Sequence, residues 1–343
     1  MIFSLIFTGP GENPEHPDPP PEPRGGGVTA PRDQLLEELR PRAFGIAYRM
    51  LGSVAEAEDV VQEALLRVHT ALENGEQIES PVAYAATVTT RLAIDELRSA
   101  RARRESYVGD WLPEPLVTGP ADEASRWAEM SNSLSIAFLV LLESLSPEQR
   151  AAFLLRDVFD YAYDEIAAVI GTSEANVRQL ATRARRHVAE RRPRFEASRE
   201  KRDQLAQRFF AAVREGDLAG MESLLAEDVV LRGDGGGKVP MRTRAVNGRI
   251  DVARAMHTWA TQRIAGTGTS MRYVEINGQP GALLLDRDGK LLSVTALDIA
   301  GEHVQGVTFV VNPDKLRHIG PVGDAGVLGA RHDSTTSIEA TDP

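Results

Sequence analysis

"IAAVIGTSEANVRQLATRARRHVAE", residues 166–190, sets a short apolar run before a Gly, a polar helix start and four arginines, Arg178, Arg183, Arg185 and Arg186. Two helices joined by a tight turn need a small residue where they cross, a Gly for the left-handed turn, and apolar residues to lock the pair. With Gly171 as the turn, Ala167 falls at the crossing and Ile166 and Ile170 line the first helix. Val177, Leu180, Ala184 and Val188 line the second, and Ser173 stands where its N-cap belongs. At about 100° per residue, the opposite face carries Ala175, Gln179, Thr182 and Arg186, flanked by Arg178 and Arg183. Arg178 and Gln179, near the helix start, are long enough to reach base edges in a major groove. Arg183, Arg185 and Arg186 suit phosphates, which add affinity without sequence information. The pattern is that of a DNA-binding helix-turn-helix, and a structural helix pair with a salt-laced face is the alternative.

The bulk properties permit this. A chain of 343 residues is long enough for two or three domains, each with its own core. Hydrophobic residues at 42% and charged residues at 26% are ordinary for a soluble globular protein. The absence of cysteine excludes disulfides and thiolate metal or redox sites, and it suits the cytosol. A net charge of −11 argues against nucleic acid only if charge is spread evenly. Screening confines each patch to about 8–10 Å, and here arginines crowd into 91–104 and 178–194 while acids crowd elsewhere. The opening "MIFSLIF" is too short for a membrane span and lacks the basic residues of a secretory signal. The Pro/Gly-rich segment after it gives residues 1–30 a disordered reading, with Val28 as an alternative translation start. No other stretch approaches the ~20 apolar residues of a span.

Residues 31–107 carry helical patterning throughout. "SVAEAEDVVQEALLRV" opens on a capping pair, Ser53 and Glu56, and its apolar stripe is Ala57, Val60, Val61, Ala64, Leu65 and Val68. Glu56, Asp59, Gln62 and Glu63 form the polar face. The loop "ENGEQIESP" follows, and Pro81 opens a further helix that ends in an arginine block. Residues 108–125 contain Pro113, Pro115 and Pro120 and no sustained period, which predicts a linker, although Trp111 and Leu112 are apolar for a free one. A second helical unit, 126–195, includes "SPEQRAAFLLRDVF" with Ser146 as cap, Pro147 at the first position and Gln149 completing the box. Residues 198–322 change character: a helix at 200–216, another at 248–261, then "MRYVEI", "GALLLDRDGKLLSVTALDI" and "VQGVTFVV", with "DRDG" as a hairpin turn. Helices followed by an antiparallel sheet predict an α+β unit. The tail, 323–343, is small, polar and expected to be disordered.

Taken together, "AEDVVQEALLRV", "YAATVTTRLAIDELRSARARR" and "SPEQRAAFLLRDVFDYAYDEIAAVIGTSEANVRQLATRARRHV" resemble bacterial sigma factors of the extracytoplasmic-function group, over about 165 residues. The resemblance implies a multidomain fold: an all-α region 2 bundle at 31–107 and an all-α region 4 with the helix-turn-helix at 126–195. It implies that Glu56, Asp59, Gln62 and Glu63 bind the β′ clamp helices of core RNA polymerase, with the β flap as a further contact. Arg91, Asp95, Arg98, Arg101, Arg103 and Arg104 would hold the −10 element. Ser173, Arg178, Gln179, Thr182, Arg183 and Arg186 would read the −35 element. Many members carry Asn where Arg91 stands, which leaves the −10 base preference open, and the glutamates of the 73–81 loop suit base capture poorly.

The C-terminal unit resembles SnoaL-like domains of the NTF2-like fold, an α+β cone, and its fusion to a sigma factor resembles the SigJ-type subgroup. Three segments match that subgroup: Trp111, Leu112 and Pro113 in "DWLPEP"; Asp234, Gly235, Gly236, Gly237 and Lys238 in "DGGGK"; and Asn312, Pro313, Asp314, Lys315 and Leu316 in "NPDKL". The resemblance implies a built-in regulator docked through these segments, with no separate anti-sigma factor. It also implies promoter DNA as partner, an unidentified small ligand in the C-terminal pocket, no membrane and a cytoplasmic location. For "DGGGK" a plain turn is the alternative, since a phosphate-binding loop needs a different glycine spacing and a Ser or Thr after the Lys. No cofactor, metal or catalytic site is expected. His257, Glu275, Asp298 and His303 are the available acid–base residues, and the His residues lack ligand spacing. Two other readings stand beside the sigma one: a one-component helix-turn-helix regulator, and a SnoaL-type enzyme fused to a DNA-binding module.

Overall fold

The computed structural model describes residues 31–118, 134–190, 198–241, 244–261 and 268–325. The expected disordered N-terminus, residues 119–125 of the expected linker and the tail beyond 325 lie outside the described residues.

Three helices begin the chain: α1 (Pro31–Leu51), α2 (Val54–Glu73) and α3 (Pro81–Glu105). The stripe of α2 is buried at Val54, Ala57, Val60, Val61, Ala64, Val68 and Ala71. Ser53 Oγ accepts the Glu56 N–H at 3.2 Å, as an N-cap should. A second acceptor at this helix start comes from far along the chain: Glu114 Oε2 takes the Val54 N–H at 2.8 Å, and Ser53 Oγ donates to Glu114 Oε1 at 2.8 Å.

The second helical unit contains α4 (Ile136–Leu142), α5 (Pro147–Phe153), α6 (Tyr163–Ile170) and α7 (Glu174–Ala189). The Ser146–Gln149 capping box is closed in both directions, at 3.2 and 3.0 Å. The helix expected across "SPEQRAAFLLRDVF" is not uniform. Its second half widens into a π-helical turn, Leu154–Val158, and the chain leaves it through Asp160 at φ 58°. Both helical units share one hydrophobic cluster, with Tyr48, Met50 and Leu51 of α1 in it alongside Phe138, Leu139, Leu154 and Val177. Buried Arg150 of α5 crosses the boundary and donates to Met50 O at 2.5 Å and Leu142 O at 2.6 Å.

The third unit holds α8 (Arg199–Glu215), α9 (Leu218–Leu224), β2 (Leu225–Asp234), β3 (Val246–Asn247), α10 (Arg249–Trp259), β4 (Ser270–Ile276), β5 (Gln279–Leu285), β6 (Leu291–Ala300) and β7 (His303–Val310). The expected α+β character holds, and the expectation of an antiparallel sheet is corrected. β2 runs parallel to β7, with Leu231 opposite Val307, because the chain leaves β2, passes through β3 and α10, and returns through the antiparallel run of β4, β5 and β6 in the same direction. The strand order is β1-β4-β5-β6-β7-β2-β3, where β1 is Val117–Thr118. The linker itself therefore supplies an edge strand, with Val117 opposite Ile276, so residues 111–118 are not a free tether. Prolines 113 and 115 favour extended backbone in the residues before them, and the open edge of β4 offers unpaired amides and carbonyls to such a segment. "DRDG" makes its turn: Asp286 accepts the Asp288 and Lys290 N–H groups at 2.9 and 2.8 Å. The turn between β4 and β5 is Asn277–Gly278, both at positive φ (52° and 71°).

The sheet has two apolar faces. Phe209, Val213, Val252 and Met256 from α8 and α10 pack with Leu297, Val307 and Phe309. A separate cluster joins Ile276, Leu283, Val294, Val310 and Leu316 to linker Leu112 and to Ile136 of α4. Leu112 is 1% exposed; burying such a side chain stabilises by about 1.5–3 kcal/mol.

Candidate nucleic-acid interface

The turn between α6 and α7 is fixed by Gly171, at φ 76°, whose N–H reaches Ala167 O at 2.9 Å. Ser173 Oγ accepts the Asn176 N–H at 3.3 Å and starts α7. Val177, Ala181, Ala184 and Val188 are buried, which turns the opposite face outward. Ser173, Ala175, Arg178, Gln179, Thr182, Arg183 and Arg186 are all exposed there. Arg178 pairs with Glu174 along the helix, and its guanidinium lies 4.3 Å from the centre of the Tyr163 ring. Arg156 flanks the same ring at 5.0 Å. Hydrogen bonding from Arg185 holds the Tyr163 phenol below its ordinary value. Arg185, expected at phosphate, is anchored to Asp157 Oδ1 at 2.7 Å and to the Tyr163 hydroxyl at 3.3 Å. Tyr163 was not singled out from sequence, because its relation to α7 depends on how two helices cross.

Helix α3 presents a different picture. Arg91 donates to Val169 O at 3.0 Å and to Ala168 O at 2.8 Å, capping the C-terminal end of α6. Arg98 bonds Glu148 of α5 at 2.8 Å and Asp95 at 3.1 Å. In this arrangement α3 directs both arginines, expected at the −10 element, to the second helical unit, where carbonyls at a helix end and a first-turn carboxylate attract cations. Arg101, Arg103 and Arg104 lie on α3, and their side chains fall outside the described residues. On α2, Asp59 and Gln62 are exposed, Glu56 and Glu63 are half-buried, and Glu63 pairs with Arg67 at 2.8 Å.

The three short motifs meet at one junction. Asp234 ends β2, is 1% exposed, and accepts from the Leu112 N–H at 3.0 Å, the Tyr107 hydroxyl at 2.5 Å and the Gly236 N–H at 3.0 Å. Lys315 bonds Asp234 Oδ2 at 2.7 Å, donates to Leu112 O, and lies over the Trp111 ring at 4.2 Å. Asn312 Nδ2 donates to the Tyr107 hydroxyl at 2.8 Å. Burial, reinforced by the neighbouring Asp234 carboxylate, pushes the Tyr107 phenol well above its ordinary value. Gly236 has φ 58°, and a Cβ there would collide with Asn312 Nδ2 and come within 3.0 Å of the Tyr107 hydroxyl. A Cβ on Gly237 would lie 3.2 Å from Val108, and one on Gly235 would collide with Val239 O. Pro313 opens a 3₁₀ turn whose Asp314 N–H bonds Asn312 Oδ1 at 3.1 Å, and Leu316 packs with Leu112. Lys238 departs from its expected contact with the helical units; it pairs with Asp314 inside the C-terminal unit.

Trp111 lies over Gly52, where a Cβ would fall 2.9 Å from the ring and 3.6 Å from Pro113. A second junction was missed from sequence. Buried Asn277 donates to the Tyr48 hydroxyl at 2.8 Å and to Leu134 O at 3.0 Å, and its Oδ1 accepts the Leu116 N–H at 2.8 Å. One side chain thereby touches α1, the linker and the start of the second helical unit. The signal for its turn was present as Asn-Gly between two apolar runs, but nothing local reports the contact.

His257, Glu275, Asp298 and His303 do not converge. His257 Nδ1 faces Gly216 O at 2.9 Å, Glu275 bonds Thr118 and Arg199, and Asp298 and His303 belong to β6 and β7. Among the described residues no group of three or more metal-binding side chains is gathered, and no helix is long and apolar enough to cross a membrane.

Comparison with known proteins gives these geometries a context. Residues 35–103 match the family described as Sigma-70 region 2, and residues 135–188 match Sigma-70, region 4. Over 289 residues the chain is 38% identical to the ECF RNA polymerase sigma factor SigJ of Mycobacterium tuberculosis, covering 82% of this chain and 92% of that one. It is 30% identical over 317 residues to the ECF RNA polymerase sigma factor SigG of the same organism, covering 84% and 82%. The crystal structure of Mycobacterium tuberculosis SigJ superposes with a TM-score of 0.69 at 35% identity, covering 84% of this chain and 99% of that chain. That coverage extends past both helical units into the α+β unit.

Proposed function

This chain belongs to the extracytoplasmic-function sigma factors of RNA polymerase, and on that premise we propose that its own C-terminal domain holds it in a restrained state. In this reading Glu56, Asp59, Gln62 and Glu63 attach it to the β′ clamp helices of core polymerase, with the β flap as a second contact. The exposed face of α7, from Ser173 to Arg186, reads the −35 element, and the basic end of α3 grips −10. The single observation that carries restraint is the pair of bonds from Arg91 to Ala168 and Val169. They place the −10 helix within hydrogen-bond reach of the helix-turn-helix. The two elements are centred about 25 base pairs apart, which at about 3.4 Å per step is roughly 85 Å. Both cannot be engaged until the two units part.

The C-terminal domain opposes that parting. Asp234, Asn312 and Lys315 hold Tyr107 and Leu112, and Asn277 holds Tyr48, so the sheet grips both the linker and the first helical unit. A covalently attached restraint makes a separate anti-sigma factor unnecessary. Among the described residues that line its cavity there is no acid–base pair, which supports a regulatory reading over an enzymatic one. In this reading the protein acts where core polymerase does, in the cytoplasm.

Run-off transcription with purified core polymerase tests this directly. Wild type should initiate above core polymerase alone on a cognate promoter, Asp234→Asn should initiate several-fold more, and Arg178→Ala several-fold less. Initiation no higher than core alone for every variant would overturn the reading.

A further inference from the structure

A cavity of about 410 Å³ in the C-terminal domain plays no part in the steps above, and its size falls within the range of small-molecule sites. It lies between α10, β2 and the segment that follows Lys238. Met241, Val239, Val311, Trp259 and Phe309 give it apolar walls, and Trp259 stands edge-on to Phe309 with ring centres 4.7 Å apart. Arg232 and Arg244 are the charged groups on those walls, and none of the described residues that line the cavity is a carboxylate or His. Among the described residues, neither guanidinium has an acid within ion-pair distance. Arg244 also borders the wider mouth, where Asp251 and Arg254 stand. Cations without counter-ions at an apolar wall recognise an anion whose remaining surface is apolar.

The walls also continue into the junction that holds the linker. Gly233 precedes Asp234, Val239 follows Lys238, and Val311 precedes Asn312. The Val311 and Asn312 N–H groups both donate to Asp234 O, at 2.9 and 3.0 Å, and Val239 N–H donates to Gly235 O at 3.2 Å. Packing is close here: a Cβ on Gly233 would lie 2.7 Å from the Met241 sulfur. A molecule that displaces Met241 or Val239 therefore pushes on the end of β2 that presents Asp234.

We propose that this cavity binds a small organic anion with an aromatic or acyl body, and that occupancy loosens the hold of Asp234 and Asn312 on Tyr107 and the linker. The coupling half rests on the restrained-sigma reading; the binding half does not. Naphthalene-1-carboxylate and its neutral twin, naphthalene-1-carboxamide, are titrated into the full chain by calorimetry. The carboxylate should bind at least tenfold more tightly. Arg244→Gln should erase that preference while keeping amide affinity within twofold, and Arg244→Lys should restore it. Equal affinity for the two probes, no binding, or a preference unchanged in Arg244→Gln would overturn the site. Limited proteolysis of residues 106–118 then reads the coupling. Saturating carboxylate should speed cleavage at least threefold, and an unchanged rate with the probe bound would overturn the coupling. Asp234→Asn, cleaved faster without any probe, shows that the assay detects release. Run-off transcription judges the sigma reading separately.

Discussion

Replacing Asp234 by Asn keeps its shape and removes its charge, leaving the Lys315 ammonium 7% exposed beside a neutral amide. Breaking one side of a buried pair costs about 3–5 kcal/mol. Urea denaturation should show that loss, and protease should reach residues 106–118 faster; an unchanged midpoint would mean that the pair does not hold the junction. On α7, Arg178→Ala should cost about 1–3 kcal/mol on a matched −35 sequence and much less on a scrambled one, measured with assembled holoenzyme. The Tyr163 ring backs the Arg178 guanidinium at 4.3 Å. Tyr163→Leu should therefore weaken the matched sequence by about 0.5–1 kcal/mol and leave the scrambled one unchanged. Equal losses on both sequences would make Arg178 a phosphate contact.

At the scale of elements, the turn after β2 and the linker behave as one unit. Gly236→Ala combines positive φ with a collision against Asn312, whereas Gly289→Ala has the same φ sign and nothing within 4 Å of its Cβ. The second should cost only the left-handed strain, about 1–2 kcal/mol, with the linker still protected; the first should expose the linker as Asp234→Asn does. Alkaline pH acts on the same turn. Because the folded Tyr107 phenol is raised above its ordinary 10.0, its contribution is fully present below that value and drains away as the pH climbs toward the folded one. Linker protection should fall above about pH 10, and Tyr107→Phe should make that fall smaller. Tyr48, also raised by burial, loses its contribution over the same range, so the remainder should survive in Tyr107→Phe.

The elements most legible in the sequence are those whose signals are local. Ser146–Gln149, Gly171 with Ser173, and the stripe of α2 each announce themselves within a few residues, and each is present. Long-range pairing left weaker traces. The parallel match of β2 with β7, the strand made by Val117–Thr118, and Arg91 closing the end of α6 depend on partners 70 or more residues away, and no local period encodes them. Leu112 and Trp111 were the visible hint, because apolar residues in a proline-rich linker need something to cover them.

Across the whole molecule, two interfaces share one task. The first joins the helical units through a common cluster, Arg150 and Arg91; the second fastens the sheet to the linker and to Tyr48. Arg150→Ala would take a donor from the Met50 and Leu142 carbonyls, of which Leu142 O keeps the Leu145 N–H at 3.0 Å; at about 1–3 kcal/mol for the first, it should loosen the first interface while leaving Asp234 in place. The chain contains no cysteine, so a pair introduced at exposed Thr70 and Ala189 can carry spin labels without background. The most direct measurement is the distance between those labels, first in the free protein and then in a transcribing complex with core polymerase and promoter. It should be narrow in the first and longer by tens of ångströms in the second, as roughly 85 Å between promoter elements requires. An unchanged distribution in a complex that initiates transcription would contradict the restrained-sigma account.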